Sequence, residues 1–291
     1  MPELPEVENT VRSLEKLVVG SRIKEVWTDT PKLVRKGSFA ALKKGINGRK
    51  ITGVKRRAKN IIILLDGGYA LLVHLKMTGH FLIGKWDIHK VKGKEMAVSA
   101  DKGVLGEKVN GYVHFIFYLD DGRELALSDL RKFAKIVFGK EKDIYEEDGI
   151  RDAGTEALEI DISEFRSIVS KSSKNIKTLL MDQAKIAGIG NIYSDDILFK
   201  AKVHPLRRAS SLSEKEIEKL YGSMKEILSL AVSLGGTSIS DYRNTEGEKG
   251  GYGEIRLVYR KDGKPCPVCG TAIKRIKLGG RSARFCPVCQ K

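Results

Sequence analysis

Apolar residues recur at helical spacing in some stretches of the chain and in short strand-like runs in others. Val7, Val11, Leu14 and Leu17/Val18 place one apolar stripe on a helix over residues 6–18, closed by Gly20. Strand signals follow at 23–27 and within 48–59, which leaves through the basic run Lys55-Arg56-Arg57-Ala58-Lys59. Two hairpins are predicted, 61–65 with 69–75 across Asp66-Gly67-Gly68, and 113–119 with 123–128 across Asp120-Asp121-Gly122. Residues 84–111, rich in lysine and glycine, read as a flexible excursion. Residues 140–157 are charged and aperiodic, and read as a linker. The second half turns helical, near 162–169, 176–183 and 191–200. Its longest helix opens on a capping box, Ser213 with Glu216, and its apolar stripe runs from Ile217 to Ala231. A polar loop over 237–253, a short strand over 255–259 and a hairpin of 272–278 with 281–285 complete the pattern. The fold class is therefore α+β. An N-terminal antiparallel β-sandwich with a packed helix (1–139) precedes the linker (140–157). A helical domain (158–253) and a terminal ribbon-like hairpin (254–291) follow.

Charge narrows the choice of partner. Lys and Arg number 53 against 37 Asp and Glu, a net charge of +16 with a pI near 9.6. That excess points to a polyanion, most often nucleic acid, although a lysine-rich solvated surface gives the same count. Hydrophobic content of 41% and a mean hydropathy of −0.25 suit a globular protein in water. No apolar run approaches the ~20 residues of a membrane span, and the acidic first stretch is no signal peptide. A cytoplasmic location is expected.

Three stretches carry chemistry. Cys266-Pro267-Val268-Cys269 and Cys286-Pro287-Val288-Cys289 are matching C-x-x-C knuckles with the spacing of a four-thiolate zinc ribbon, against redox dithiols as the rival reading. The intervening hairpin has almost no core of its own, so a metal would supply its folding energy. Its basic residues Arg275, Lys277, Arg281 and Arg284 suit a nucleic-acid groove. The joint from Lys185 to Ile192 places Gly188 and Gly190 just before a helix. Backbone N–H groups there form an anion site in a helix–two-turn–helix element, Asn191 adds a donor, and Lys177 lies one short helix upstream. Many ordinary loops end the same way. The opening Met1-Pro2-Glu3-Leu4-Pro5-Glu6-Val7 has two readings. Proline and glutamate in a first turn simply start a helix. Alternatively, loss of Met1 frees the secondary amine of Pro2, titrating near ~7.7–8.0, as a nucleophile toward a sugar carbon.

Taken together, Pro2 to Val7, His74-Leu75-Lys76-Met77-Thr78-Gly79, the joint from Leu180-Met181-Asp182-Gln183 to Tyr193 and the terminal knuckles resemble the formamidopyrimidine-DNA glycosylases nearly end to end. These are bacterial base-excision repair enzymes. The resemblance implies that the Pro2 amine attacks C1′ of a damaged nucleotide, releases an oxidised purine and then expels the 3′ and 5′ phosphates. Glu3 would be the general acid/base, and Glu6 would support the amine or a bound water. Lys59 would contact phosphate and assist excision of oxidised guanine. Lys177, Asn191 and Arg281, with His74, would hold DNA around the lesion. Met77, Arg131 and Phe133 would fill the void left by the flipped nucleotide, and Tyr242 and Arg243 would contact the flipped base. One structural Zn²⁺ on Cys266, Cys269, Cys286 and Cys289, damaged double-stranded DNA as partner, and a monomeric chain are implied. Two departures stand out. Asp129-Leu130-Arg131-Lys132-Phe133-Ala134 lacks the family's usual Pro after Asp and Gly after Phe, and the 84–111 excursion is long for the family. The alternatives are the sister endonuclease VIII, which acts on oxidised pyrimidines and usually carries Gly where this chain has Leu4, and a non-catalytic zinc-ribbon DNA-binding protein.

Overall fold

The structure, a computed structural model, describes residues 1–291 except Lys92, Ile239 and Ser240. Those positions of the 84–111 excursion and the 237–253 loop lie outside the described residues. The chain forms two compact units, one of residues 1–151 with 235–251, the other of 152–234 with 252–291.

In the first unit, helix α1 (Leu4–Val18) starts two residues before the expected residue 6. Proline has no N–H to lose in a first turn, and the Glu3 N–H is taken by Glu6 Oε2 at 2.7 Å. The helix buries Val7, Val11, Leu14 and Val18 against two antiparallel sheets. One runs in the order β1 (Ile23–Thr28), β8 (Val113–Leu119), β9 (Glu124–Ser128), β5 (His80–Gly84). The other runs β10 (Lys135–Lys140), β4 (Tyr69–His74), β3 (Asn60–Leu65), β2 (Ile51–Arg57). Ile63, Val73 and Ile136 from one and Phe81, Phe117 and Leu127 from the other share a single core, which makes the expected sandwich. A short helix, α2 (Phe39–Ile46), capped by Ser38, adds Leu42 and Ile46 to it.

Both outer faces are apolar too, and each acquires a cover that the pattern of the sequence hid. Ile62, Leu72 and Val137 are covered by Ile144 and Ile150. The segment expected as a linker therefore contains helix α3 (Glu141–Tyr145) and belongs to this unit as far as Arg151. Leu82, Ile116 and Ala126 are covered by Trp86, Ala97 and Leu105. The expected flexible excursion instead folds as a hairpin of β6 (Trp86–Val91) and β7 (Lys94–Ser99) followed by a short 3₁₀ turn.

The second unit holds α4 (Ile162–Ser170), α5 (Ile176–Leu180), α6 (Asn191–Ala201) and α7 (Glu214–Ser233), with a two-residue parallel pair of β11 (Thr155–Glu156) and β12 (Ile186–Ala187). Helix α6 is buried from Ile192 to Phe199. The strand expected over 255–259 does not form. After the turn α8 (Tyr252–Ile255), the N–H groups of Leu257, Val258 and Tyr259 all point at the buried Asp196 carboxylate, at 3.0, 2.9 and 3.2 Å. Backbone donors committed to one carboxylate are lost to a ladder. Strands β13 (Lys274–Leu278) and β14 (Arg281–Phe285) pair as the terminal hairpin.

Candidate active site

Four charged groups in the first unit share the surroundings of the chain's first nitrogen. That nitrogen is the Met1 amine, which precedes Pro2, and burial lowers its pKa. Glu3, Glu6 and Asp241 oppose the effect, and Lys59 reinforces it. Glu3 is 2% exposed and Lys59 6%, so both charges sit where water screens them weakly. Lys59 arrives on the tight turn between β2 and β3, in which Ala58 adopts a left-handed φ of 53°. A non-glycine residue there costs on the order of 1–2 kcal/mol, strain of the kind that accumulates where a side chain must be presented.

Glu6, expected to support the amine or a water, has both oxygens engaged by backbone. Oε2 accepts from Glu3 N at 2.7 Å and Oε1 from Thr237 N at 2.6 Å, so the carboxylate brackets the loop of residues 235–251 to the start of α1. Gly236 is required at that joint. Its φ is +80°, and an added Cβ would lie 2.8 Å from Glu6 Oε1. The loop also corrects two expectations. Tyr242 and Arg243 are each 6% exposed rather than offered to a base. The Tyr242 hydroxyl donates to Glu6 O at 3.1 Å, with burial and the Glu6 charge pushing its pKa up. Arg243 Nη1 donates to Tyr242 O at 2.8 Å. Both residues brace the loop.

The three residues expected to form the wedge, Met77, Arg131 and Phe133, stand together, and Met77 and Phe133 are exposed. Arg131 Nη1 lies 2.9 Å from Met77 Sδ, and its guanidinium sits 4.5 Å from the centre of the Phe133 ring. Met77 and Phe133 are each 45% exposed, an unfavourable place for them without a partner. Asp129, fully buried and not foreseen from the sequence, organises the turn. Its Oδ2 accepts from Phe133 N at 2.7 Å and Ala134 N at 2.8 Å, while Oδ1 pairs with the Thr78 hydroxyl, which also accepts from Arg131 N. This staple holds the turn without the Pro and Gly that the family usually has there. Lys132, at φ 54°, takes the left-handed position, and Ala134 does not need one. An aspartate two to five residues before exposed backbone N–H groups is the available signal. On the neighbouring loop His74 Nδ1 accepts from Lys76 N at 2.9 Å. Burial, then Lys76, hold its pKa down at about 3, so the ring is neutral with its other nitrogen as a donor.

The second unit holds the residues expected to bind anions, and the metal centre. Gln183, also unforeseen, fixes the joint: Oε1 accepts from Gly188 N at 3.0 Å and Nε2 donates to Ile189 O at 2.7 Å. Gly188 has φ +102°, and Asn191 opens α6 with its Oδ1 buried. Lys177 is not a surface phosphate contact. It is 1% exposed and donates to Asp195 Oδ1 at 2.5 Å and Ser282 O at 2.9 Å. In the hairpin Arg281 is exposed, whereas Arg284 is buried and paired with Asp262 at 3.0 Å. The four cysteine sulfurs lie within 4.8 Å of one another, with Cys266 to Cys289 at 3.9 Å and Cys269 to Cys286 at 3.5 Å. A tetrahedron with Zn–S of about 2.3 Å has edges of about 3.8 Å, so the set fits one zinc ion with no open position. The N–H groups of Val268 and Cys289 aimed at sulfur, each at 3.4 Å, suit thiolates rather than a disulfide.

Comparison with known proteins accounts for both units. The formamidopyrimidine-DNA glycosylase N-terminal domain matches residues 1–136, the H2TH domain of the same enzymes matches 152–243, and a zinc finger found in FPG and IleRS matches 263–291. The chain belongs to the formamidopyrimidine-DNA glycosylase family. The formamidopyrimidine-DNA glycosylase of Listeria innocua is 38% identical over 293 residues, covering 100% of each chain. That of Bacillus cereus is 36% identical, covering 100% of this chain and 99% of its own. The Lactococcus lactis Fpg bound to DNA with an abasic site superposes with a TM-score of 0.85 at 34% identity over 99% of both chains. The same protein bound to N7-benzyl-Fapy-dG DNA gives 0.85 at 34% identity over 100% of both. A match that begins at residue 1 removes the support for a non-catalytic zinc-ribbon protein. No described helix is long and apolar enough to cross a membrane.

Proposed function

We propose that this base-excision repair enzyme, a DNA glycosylase and AP lyase for oxidised purines, acts on damaged duplex DNA in the bacterial cytoplasm through the freed amine of Pro2. The observation that carries the reading is the set of charges around the chain's first nitrogen. Burial and Lys59 favour a neutral amine, and Glu3, Glu6 and Asp241 favour a cation. A neutral amine is the nucleophile, and the iminium formed at C1′ is the cation. Loss of Met1 would leave the Pro2 amine, one buried residue further along, beside the same groups. There burial and Lys59 work against a cation before attack, and the carboxylates support the iminium as it forms.

The steps follow from that balance. The Pro2 lone pair attacks C1′ and the base departs with its bonding pair and a proton. Glu3 manages the proton at the ring oxygen as the sugar opens. A carboxylate or water then takes the C2′ proton, and the C2′–H electrons pass to the iminium as an enamine. The 3′ phosphate leaves with the C3′–O pair, followed by the 5′ phosphate with the C5′–O pair. Flipping a nucleotide out costs a few kcal/mol, offset here by Met77 and Phe133 entering the stack and Arg131 facing the orphaned base. Asn191, Arg281 and the neutral His74 are assigned to phosphates around the lesion, and Lys59 to the phosphate or leaving base beside the amine. Zinc supplies no step; it would be held by Cys266, Cys269, Cys286 and Cys289 and fix the hairpin that carries Arg281.

Borohydride trapping on a duplex with one abasic site tests the assignment. Protein shown by mass spectrometry to begin at Pro2 should cross-link, and Pro2→Gly, or protein retaining Met1, should bind without cross-linking. No cross-link from correctly processed protein would overturn the Pro2 mechanism. Faster cleavage of thymine glycol than of 8-oxoguanine opposite cytosine would move the chain to the pyrimidine-lesion sister enzyme.

A further inference from the structure

The hairpin and turn of residues 84–111 have no part in the chemistry above, yet they end in a fully buried polar group. Asn110 is 0% exposed, and its Nδ2 donates to Val104 O at 2.8 Å and to Gly247 O at 3.2 Å. With both donors committed to carbonyls, Oδ1 must be the acceptor facing His80 Nε2 at 3.1 Å. His80, 1% exposed, begins β5 directly after Thr78 and Gly79. With its one proton on Nε2, its Nδ1 makes no hydrogen bond to Thr78 O, and it is joined to the wedge turn through the backbone of Gly79. Thr78 is the residue whose hydroxyl pairs with Asp129 and accepts from Arg131 N in the wedge turn.

Gly247, at the other end of this link, sits in the loop over residues 235–251. Its φ is +86°, and an added Cβ would lie 2.7 Å from Asn110 Nδ2 and 3.2 Å from Leu105 Cδ2, so the 84–111 segment presses directly on that loop. Nearby, Ile83 N donates to Thr245 O at 2.8 Å. The loop's first residues are the ones bracketed to α1 through Glu6. One loop is thus held at one end by the catalytic helix and at the other by a buried chain that starts in the wedge turn.

We propose that Asn110 and His80 are positioning residues, a buried link through which the 84–111 segment holds the 241–250 loop in register with the wedge turn that carries Arg131 and Phe133. A buried link of this kind is either made in full or costly to leave half made, which gives its two ends a common state. The functional side of the proposal rests on the glycosylase reading; the structural side does not. Base release needs a flipped base held while the wedge fills the gap. Strand cleavage at an abasic site has no base to hold. The link should therefore matter for the first and not for the second.

The test uses the full-length, zinc-loaded protein beginning at Pro2. Hydrogen exchange is followed over residues 129–134 and 241–250 without DNA, and single-turnover rates are measured for release of 8-oxoguanine and for cleavage of a preformed abasic site. Asn110→Ala should speed exchange in both segments and slow base release about tenfold, within the range usual for coupled sites, while abasic-site cleavage stays unchanged. Asn110→Asp keeps the oxygen that faces His80 but loses the donors to Val104 and Gly247, and should behave alike. His80→Ala should behave like Asn110→Ala, whereas His80→Gln, which retains a donor for Asn110, should keep most of the rate. Faster exchange in 241–250 alone, or an equal fall of both activities, would overturn the link. Loss of the borohydride cross-link in the parent protein would instead overturn the Pro2 mechanism and leave the exchange result standing.

Discussion

Lys177 Nζ lies 2.5 Å from Asp195 Oδ1, and the two side chains are 1% and 0% exposed. The same nitrogen donates to Ser282 O, next to Arg281, so a lysine placed among the phosphate contacts by family likeness instead ties α5 and α6 to the zinc hairpin.

Lys177→Met should therefore act on stability. It strands a buried carboxylate, which costs about 3–5 kcal/mol, less if Asp195 takes up a proton, toward which burial already pushes it. The melting temperature should fall while the salt dependence of DNA binding keeps its slope. A slope smaller by roughly 0.9 in log–log form would show instead that Lys177 meets a phosphate.

The wedge makes the opposite prediction. Met77 and Phe133 are 45% exposed, so Met77→Ala and Phe133→Ala should leave stability within about 0.5 kcal/mol, not the roughly 3–5 kcal/mol of a core phenylalanine. Base release should nevertheless slow, because the unstacked gap goes unfilled. Asp129→Ala should lower stability as well as slow base release. It leaves the Phe133 and Ala134 N–H groups without their acceptor, at about 1–3 kcal/mol, and releases the turn. Thermal melting and single-turnover rates separate the three variants.

Two buried imidazoles set the acid limit of the first unit. Burial lowers His74 to about 3 and His80 to about 4 from an ordinary 6.5. An unfolded chain takes up protons on these rings below pH 6.5 and the folded chain does not. Their contribution is complete above pH 6.5 and is lost as the pH falls toward 4 and then 3. For His80 it is on the order of 3 kcal/mol. Melting temperature measured between pH 7 and 4 should drop with acid, and His80→Gln should flatten the drop. An unchanged profile in that variant would mean that His80 takes up its proton in the fold as readily as in the unfolded chain.

Much of this arrangement is visible along the chain, because the sandwich strands, the capped helix α7 and the paired knuckles each announce themselves through local pattern. What escaped it is long-range. Trp86, Ile88 and Ala97 look like stray apolar residues in a lysine-rich run until the outer face of a sheet needs covering. Asp129 and Asp196 look like surface charges, and only the fold shows three or more donors converging on each. Tyr242 and Arg243 sit in a polar loop, and nothing within that loop reveals that Glu6 is what Tyr242 packs on. Helix α2 goes unread, although Ser38, Phe39, Leu42 and Ile46 give a cap and a stripe, because at eight residues it is short enough to pass as a turn.

The zinc hairpin gives the last prediction. Its apolar support is Ile273 packed with Val258 and Phe199 around Cys266 and Cys286, too little to fold two five-residue strands unaided. Binding of zinc to four thiolates contributes roughly 10–16 kcal/mol to such a module, so removing the metal with a chelator, or Cys269→Ser, should unfold it. The helical core of the second unit, with Ile197, Leu198, Leu220 and Met224 buried, should retain its far-ultraviolet helical signal. DNA affinity should fall and its salt dependence become shallower, since Arg281 would lose the rigid turn that presents it. If chelation melts the hairpin and affinity is unchanged, Arg281 and the ribbon have no place in the DNA interface, and the phosphate contacts of the second unit must come from Asn191 and the glycine joint.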